Sequence, residues 1–411
     1  MAPFPLPLTE LLGHWGSYIV YLLIGFAFGA VLEMAGFGNS KKLAAQFYFK
    51  EQTVLKVMFT AIIVAMVGVF LASALGLLDY NLIWVNPTYL WPGIVGGLLM
   101  GVGFIVGGFC PGTSLVAAAT AKLDGIFFVL GVFFGIFLFG ETVGLFEGFF
   151  HSSYMGRFTL PELFNAPTGI IVIGVVFMAL FMFWGAEQLE RIVGGMDTKN
   201  APKWRFAAAG GLVATAVLVF VIGQPTAEDR WARVADEREL QLAEREVQIH
   251  PGELLEVIHD PAINIIMLDV RDEVDYNLFH ITDAQHVGQN ELAEMVPVLH
   301  LEPTNTVFVV MSNDEVRATE AWRFLIAESV PNVYILEGGV NRWIATFANE
   351  EFLTTVATPT PSANDALAYS FGAALGARHP VAYPDPHVFE LEYDKKIELE
   401  IKRGPTSGGC G

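Results

Sequence analysis

The chain has 411 residues, of which 53% are hydrophobic and only 16% are charged. A soluble domain has roughly a quarter of its residues charged, so this composition excludes a wholly soluble globular protein, a disordered chain and a nucleic-acid-binding protein. The net charge of −20 is also unevenly divided. Residues 1–224 contain 10 basic and 11 acidic residues, whereas the remainder contains 13 basic and 32 acidic residues. The sequence therefore predicts an apolar, nearly neutral first half and an acidic, water-soluble second half.

The first half contains six apolar segments that are long enough to cross a bilayer, which takes about 20 residues. Most of its lysines and arginines follow the first, third and fifth segments, and the positive-inside rule places such loops in the cytoplasm. We therefore expect an integral, multi-pass protein of the cell (inner or plasma) membrane, with the acidic half outside the cytoplasm. The candidate spans are 15–35, 54–78, 89–109, 125–148, 168–187 and 206–224.

An internal repeat divides part of this membrane domain into two copies, at about 15–87 and 88–150. Repeated hydrophobic segments that are interrupted by glycine point to a transport site between the copies. Close packing of small residues between membrane helices is the alternative explanation, but it does not account for the repeated lysine. A shift of 72 residues pairs Gly25 with Gly97, Gly29 with Gly101, Gly36 with Gly108, Phe37 with Phe109, Lys50 with Lys122 and Gly68 with Gly140.

A break in the second copy contains one of only two cysteines in the chain. Pro111 and Gly112 interrupt the apolar helix, and proline suits the first turn of a new helix. Cys110 would then lie at the N-terminus of a re-entrant half-helix, where free N–H groups favour an anion. Thr113 and Ser114 add hydroxyl donors. A proline kink with a buried, inert cysteine also fits this pattern.

The second half begins with a charged helical linker and continues with alternating strands and helices. This alternation predicts an α/β domain with a parallel sheet. The chain then ends in an extension whose glycine-rich tail is flexible by composition and contains Cys410. The predicted segments are a linker at 225–246, strands at 263–270, 306–311 and 332–336, a helix at 318–328, a domain over about 247–350 and the extension at 351–411.

The membrane segments resemble the YeeE/YedE sulfur-transport family over about residues 15–190, most strongly in Gly108–Thr113. The resemblance implies that thiosulfate or a related sulfur anion passes along pore cysteines, and Cys110 matches such a position. Gly38 occupies the equivalent position of the weaker first copy. One chain therefore cannot relay the anion through several pore thiols, and we expect a gate with a single cysteine, with Asn39 and Ser40 as polar substitutes in the first copy. Longer members of the family have more spans, so this chain is expected to form a homo-oligomer.

The soluble domain resembles rhodanese over about 247–350. The resemblance rests on three segments, and a rhodanese nucleophile should follow the strand at 306–311. Ser312 occupies that position, and the loop closes on Arg317. A serine cannot form a persulfide, so we expect a degenerate, non-catalytic domain. The matching segments are Leu268–Arg271, His280–Ala284 and Glu337–Gly339 with Trp343.

The C-terminal Gly-Gly-Cys-Gly resembles the swinging arm of the sulfur carrier SoxY, which implies that Cys410 carries sulfur. A frayed tail with an incidental cysteine is the alternative. The favoured hypothesis is a membrane transporter for thiosulfate or a related sulfur anion, to which Cys410 presents sulfur. Sulfur-carrier proteins are possible partners.

Two further hypotheses and one further substrate class stay open. The protein could be a membrane-anchored sulfurtransferase in which Cys410 replaces the missing thiol at Ser312. It could also be a sensor whose rhodanese-like domain gates the pore. A selenium compound is an alternative substrate. The sequence shows no metal-ligand spacing and no nucleotide or cofactor motif, so we expect no metal and no cofactor.

Overall fold

The structure is a computed structural model that describes residues 3–195, 204–288, 291–356 and 365–399. The chain forms two compact units, and the boundary between them lies between Gln224 and Pro225.

The described residues of the first unit form helices joined by loops and turns. Six of its segments are long and apolar enough to cross a membrane, which confirms the six apolar helices that the sequence predicts. Its α-helices are α1 (Leu8–Met34), α2 (Ser40–Ala45), α3 (Thr53–Ala74), α4 (Leu90–Gly107), α5 (Pro111–Ala119), α6 (Leu123–Thr142), α7 (Glu147–Phe150), α8 (Leu160–Phe164), α9 (Thr168–Ile192) and α10 (Trp204–Ile222). Short 3-10 turns lie at Gln46–Tyr48, Tyr80–Leu82 and Val143–Leu145.

One group of helices, α3, α9 and α10, packs around a small aliphatic core. The buried carboxylate of Glu190 joins α9 to the start of α3. It accepts a hydrogen bond from the backbone N–H of Gln52 at 2.6 Å and forms an ion pair with Lys56 at 2.5 Å. A charge in an apolar unit requires such a partner, so this pair fixes how α3 and α9 pack.

The two repeat copies contain the same local structure. In each, a long helix ends at a glycine in the left-handed region, with φ of 80° at Gly36 and 71° at Gly108. The next residue, Phe37 or Phe109, is buried in one shared apolar cluster, and a short helix follows. Only glycine adopts such a φ without strain. The glycine and phenylalanine of the repeat therefore mark the end of one helix and the anchor of the next.

The second unit is an α/β structure with a parallel sheet, as the sequence predicts. The strands lie in the order β1-β5-β4-β2-β3, and every pair is parallel. The elements are α11 (Ala227–Ala243), β1 (Gln248–Ile249), α12 (Pro251–Ile258), β2 (Asn264–Asp269), α13 (Glu273–Leu278), β3 (Gln285–His286), α14 (Leu292–Leu299), β4 (Thr306–Met311), α15 (Val316–Ala327), β5 (Val333–Leu336), α16 (Gly339–Phe347) and α17 (Glu350–Val356).

Helices cover both faces of this sheet, as parallel sheets require. One core contains Trp343 of α16 and residues of α12, and the other contains Trp322 of α15 and residues of α14. The central strand β4 is buried along its whole length. Its side chains therefore form a continuous apolar run, which is why the sequence pattern predicts this strand at its observed bounds.

Two segments outside the predicted α/β domain also pack on it. Helix α11 lies against α15, with the rings of Trp231 and Trp322 edge to face at 6.1 Å. Residues 365–399, which we call the strap, run with little regular structure but contribute apolar side chains to the first core. The indole N–H of Trp343 donates to the carbonyl of Val381 at 2.8 Å, and Glu253 accepts from two strap N–H groups at 2.7 Å.

Gly339 provides a test of the packing between α16 and the loop after β4. Its φ is 59°, and a Cβ there would collide with the carbonyl oxygens of Ser312 and Asp314. We expect Gly339→Ala to destabilise the second unit by about 2 kcal/mol or more. Hydrogen exchange of the β4 amides in the full-length protein would measure this change. Gly372→Ala is the matched control, because no atom lies within 4 Å of its added Cβ. Equal protection in both variants would contradict this account.

Candidate functional site

Cys110 is the N-cap residue of α5, and Pro111 is the first residue of this helix. The backbone N–H of Thr113 donates to the Cys110 sulfur at 3.4 Å, and the backbone N–H of Cys110 donates to the Thr113 hydroxyl at 3.0 Å. This reciprocal pair is a capping box. The thiol thus caps a helix N-terminus, its sulfur lies 3.3 Å from the Thr113 hydroxyl, and its side chain stays partly exposed.

The two hydroxyl groups after Cys110 bond to their own helical turn. The Thr113 hydroxyl lies 3.2 Å from the carbonyl oxygen of Cys110, and the Ser114 hydroxyl donates to the carbonyl of Pro111 at 2.7 Å. Both residues are buried. They hold the first turn of α5 in place, and Gly112 keeps that turn free of side-chain bulk. Of Cys110, Thr113 and Ser114, only the first therefore has a partly exposed side chain.

The first copy is capped by a different residue from the one that the sequence shift suggests. Asn39 is the N-cap of α2, and its side chain accepts from the backbone N–H of Lys41 at 3.1 Å. In the cap, Asn39 therefore corresponds to Cys110, although Gly38 does so in the aligned sequence. The neighbouring Ser40 donates to Asp124 at 2.7 Å and lies against Gly108, so the two breaks are in contact.

In the first copy, the ends of two side chains fill the space beside Gly38. Gly38 is buried, and a Cβ there would lie 2.7 Å from the ammonium of Lys122 and would collide with the carboxylate of Glu33. These two groups form an ion pair at 3.1 Å. Sequence reasoning missed Glu33 and Asp124. The signals were the repeated lysine at 122, the acidic residue at 33 shortly before the first break and the acidic residue at 124 beside that lysine.

In the second unit, Ser312 and Arg317 bound the loop that follows β4. Ser312 is fully buried, and its hydroxyl accepts the backbone N–H of Ala318 at 3.2 Å. Its carbonyl accepts the backbone N–H of Val340 at the start of α16 at 2.9 Å. The side chain at the expected nucleophile position is therefore part of the packing.

The protein's own carboxylates occupy the backbone N–H groups of this loop. Asp314 accepts from the backbone N–H of Val316 at 2.8 Å and of Glu315 at 2.5 Å. Asp365 of the strap accepts from the backbone N–H of Asp314 at 2.7 Å and donates its own N–H to the Asp314 side chain at 3.1 Å. These donors are the ones that would hold an anion in such a loop. We call the pair Asp314 and Asp365 the latch.

The positively charged residue at the end of the loop, Arg317, is also paired with carboxylates. Arg317 donates to both carboxylate oxygens of Asp272, at 2.8 and 3.0 Å, and its Nε lies 3.7 Å from Asp365. Asn313 links the latch to another acid, because its side chain donates to the Asp275 carboxylate at 2.6 Å and to the Asp365 carbonyl at 2.8 Å. The loop thus holds the strap through carboxylates rather than presenting empty N–H groups to an anion.

Three further residues, Asp269, Arg271 and His280, make contacts that stabilise the fold of the domain. Asp269 and Arg271 form a fully buried ion pair at 2.6 Å, and Arg271 also donates to the Phe279 carbonyl at 2.7 Å. The ring of His280 stacks on Tyr276 with 3.9 Å between centroids. These contacts join β2, α13 and the turn before β3.

Within the described ranges, no group of three or more His, Cys, Asp or Glu side chains is arranged to hold a metal ion. The predicted carrier residue Cys410 lies outside the described residues.

Comparison with known proteins agrees with both halves of this description. Residues 34–235 match the family described as Sulphur transport, and residues 250–346 match the Rhodanese-like domain. The chain therefore joins a membrane domain of the sulphur-transport family to a rhodanese-like domain, which confirms the two resemblances seen in the sequence.

Individual relatives are similar to part of the chain. Thiosulfate sulfurtransferase GlpE of Pseudomonas fluorescens (strain SBW25) is 29% identical over 85 residues, which cover 21% of this chain and 75% of that protein. The GlpE of Pseudomonas entomophila (strain L48) is 27% identical over 85 residues, with the same coverage. No solved structure matches the chain.

The latch predicts a pH dependence for the docking of the strap. Burial, and then the hydrogen bond with Asp314, raise the pKa of Asp365 to about 6 from its usual value of 3.8. Burial also acts to raise the pKa of Asp314, but its hydrogen bonds with Asp365 and the loop N–H groups outweigh burial and lower it. The docked strap thus favours protonated Asp365 beside ionised Asp314. This contribution to docking is complete below about pH 4 and is lost as the pH rises through about 6.

Hydrogen exchange of the strap amides near Asp365, corrected for the intrinsic pH dependence of exchange, would measure this loss. We expect roughly 2 kcal/mol less protection at pH 7 than at pH 4. In Asp365→Asn the side chain stays neutral and can both donate and accept, so most of this pH dependence should disappear. Asp385→Asn, on an exposed part of the strap, is the control and should behave like the unaltered protein. The same pH dependence in Asp365→Asn would contradict the latch.

Proposed function

We propose that the membrane unit transports thiosulfate or a related small sulfur anion, and that this anion passes the thiol of Cys110. The observation that carries this proposal is the reciprocal cap between Cys110 and Thr113, at a break where both repeat copies meet. The match of residues 34–235 to the Sulphur transport family supports it.

The chemistry required of the site is reversible binding without a covalent step. An S–H group donates a hydrogen bond to a sulfur or oxygen atom of the anion, and the positive end of α5 favours negative charge at that point. Weak, single contacts suit transport, because an anion that binds too tightly is not released. Cys110 provides the single thiol among the described residues of the membrane unit, because its sequence counterpart Gly38 has no side chain.

Removal of this thiol tests the proposal. In proteoliposomes that contain the full-length protein, we expect Cys110→Ala to reduce uptake of radiolabelled thiosulfate about tenfold or more, because the S–H donor is lost. Cys110→Ser keeps a donor and should retain part of the uptake. The control is Thr215→Val on α10, whose hydroxyl bonds only within its own helix. Unchanged uptake by Cys110→Ala would refute the role of the thiol.

For the second unit we propose a non-catalytic role in which Cys410 carries sulfur toward the membrane unit. The acidic half repels a free thiosulfate dianion at long range, so covalent carriage is a more effective supply than diffusion. The buried hydroxyl of Ser312 and the occupied loop N–H groups support this role over a sulfurtransferase in which Cys410 completes the loop. Selenium compounds remain an alternative substrate class for the same chemistry.

We also propose that the second unit faces outside the cytoplasm and that the protein forms a homo-oligomer. The basic residues between α1 and α3 support the first point through the positive-inside rule. The second is supported by exposed or half-buried glycines on α4 and α6, among them Gly97, Gly101, Gly131 and Gly135. Among the described residues, no atom lies within 4 Å of a Cβ added at these positions. Small residues of this kind allow membrane helices of two copies to approach closely.

The carrier role predicts a sulfur adduct on Cys410. When its thiolate attacks the outer sulfur of thiosulfate, a new S–S bond forms, the bond to the sulfite group breaks and sulfite leaves. Mass spectrometry after thiosulfate treatment should therefore find one added sulfur atom on the C-terminal peptide, and none on that of Cys410→Ser. A peptide without the adduct would refute carriage. Labelling Cys410 with a membrane-impermeant thiol reagent on intact cells would reveal the side on which it lies.

A further inference from the structure

We propose that Lys122 is a second anion-binding group of the membrane pathway, and that its ammonium supplies in the first repeat the donor that Cys110 supplies in the second. This inference rests on the proposed function and identifies a residue that the repeat pattern alone does not assign to the pathway. The ion pair of Lys122 with Glu33, which lies over Gly38, is the feature that supports it.

The position of this ammonium follows from the repeat. Gly38 aligns with Cys110, and the space that a side chain at 38 would fill is occupied by the ends of two other side chains. The Lys122 Nζ atom lies 2.7 Å from the Cβ position of Gly38, and the Glu33 carboxylate lies beside it. An N–H donor thus lies in the first copy beside Gly38, the residue that aligns with Cys110 in the sequence, while Asn39 takes the capping position. The ammonium and the thiol both donate hydrogen bonds to an anion, and the ammonium also neutralises its charge.

The ammonium can accept a further partner. The side chain of Lys122 is 37% exposed and that of Glu33 is 40% exposed. The two oxygens of Glu33 lie 3.1 and 3.5 Å from Nζ, and an ammonium has three N–H groups. At least one N–H therefore remains for an anion even while the ion pair is intact.

Glu33 has a distinct part in this arrangement. A lone charge in a membrane unit is costly unless it is paired, so Glu33 compensates Lys122 when no anion is bound. An arriving anion takes over this compensation and competes with Glu33 for the ammonium. We therefore infer that Glu33 weakens anion binding to a level that permits release, whereas Lys122 strengthens it.

Lys50 is a matched control within the same chain. It is the repeat mate of Lys122, and its side chain is exposed. No ion pair of Lys50 is found within the described part of the chain. It lies in the corresponding position of the other copy but outside the contact between the breaks, so its loss tests for a general effect of positive charge.

The test measures thiosulfate uptake by full-length protein in proteoliposomes as a function of substrate concentration. We expect Lys122→Gln to raise KM about tenfold, because a charged hydrogen-bond donor is lost. Glu33→Gln should leave KM unchanged or lower it, because the competing carboxylate is removed. The double variant Glu33→Gln with Lys122→Gln should remain as impaired as Lys122→Gln. Lys50→Gln should match the unaltered protein.

A purely structural ion pair gives the opposite pattern. In that case Glu33→Gln would impair uptake as much as Lys122→Gln, and the neutral double variant would recover, because neither charge is left unpaired. That result, or an unchanged KM in Lys122→Gln, would overturn the inference while leaving transport past Cys110 intact. Absence of uptake by the unaltered protein and by Lys50→Gln would instead reject the proposed function, and the Lys122 inference with it.

Discussion

The membrane unit depends on one constraint, which is that backbone N–H groups at a helix break in an apolar environment need hydrogen-bond acceptors. Both repeat copies break at a left-handed glycine, and each then begins a short helix that must be capped. Asn39 caps the first with its side-chain oxygen, and the sulfur of Cys110 caps the second. The thiol is thus fixed in place by a structural requirement and remains partly exposed at the positive end of a helix, which is the combination that an anion-binding site needs.

The same repeat shows how two copies of one structure come to differ chemically. The second copy has a thiol, whereas the first leaves out the side chain at position 38 and admits an ion pair from neighbouring helices. A side chain at 38 would require the ends of Lys122 and Glu33 to move away from its Cβ position. The proposed pathway therefore combines one soft donor with one charged donor, and Ser40 of the first copy lies against Gly108 of the second, so the two breaks are in contact.

In the rhodanese-like domain, too, the protein's own side chains fill a place that a ligand could occupy. Its loop retains the expected position between β4 and α15, but Asp314 and Asp365 occupy N–H groups that an anion would otherwise use. One latch carboxylate, Asp314, belongs to the loop itself. The sequence did not predict that the second latch carboxylate comes from residue 365. No pattern joins residues 51 positions apart across an irregular segment, and only the docking of the strap brings them together.

The sequence by itself determined the two halves, the six apolar helices, the parallel α/β domain and the thiol at a helix break, because each follows from local composition or periodicity. It did not reveal β1 and β3, since two-residue strands are too short for a pattern. Nor did it reveal that α11 and the strap pack on the domain. Tertiary structure alone decided which residue caps α2, what fills the space at Gly38 and what occupies the loop after Ser312. These outcomes depend on contacts between residues that are distant in the chain, and such contacts leave no local signature.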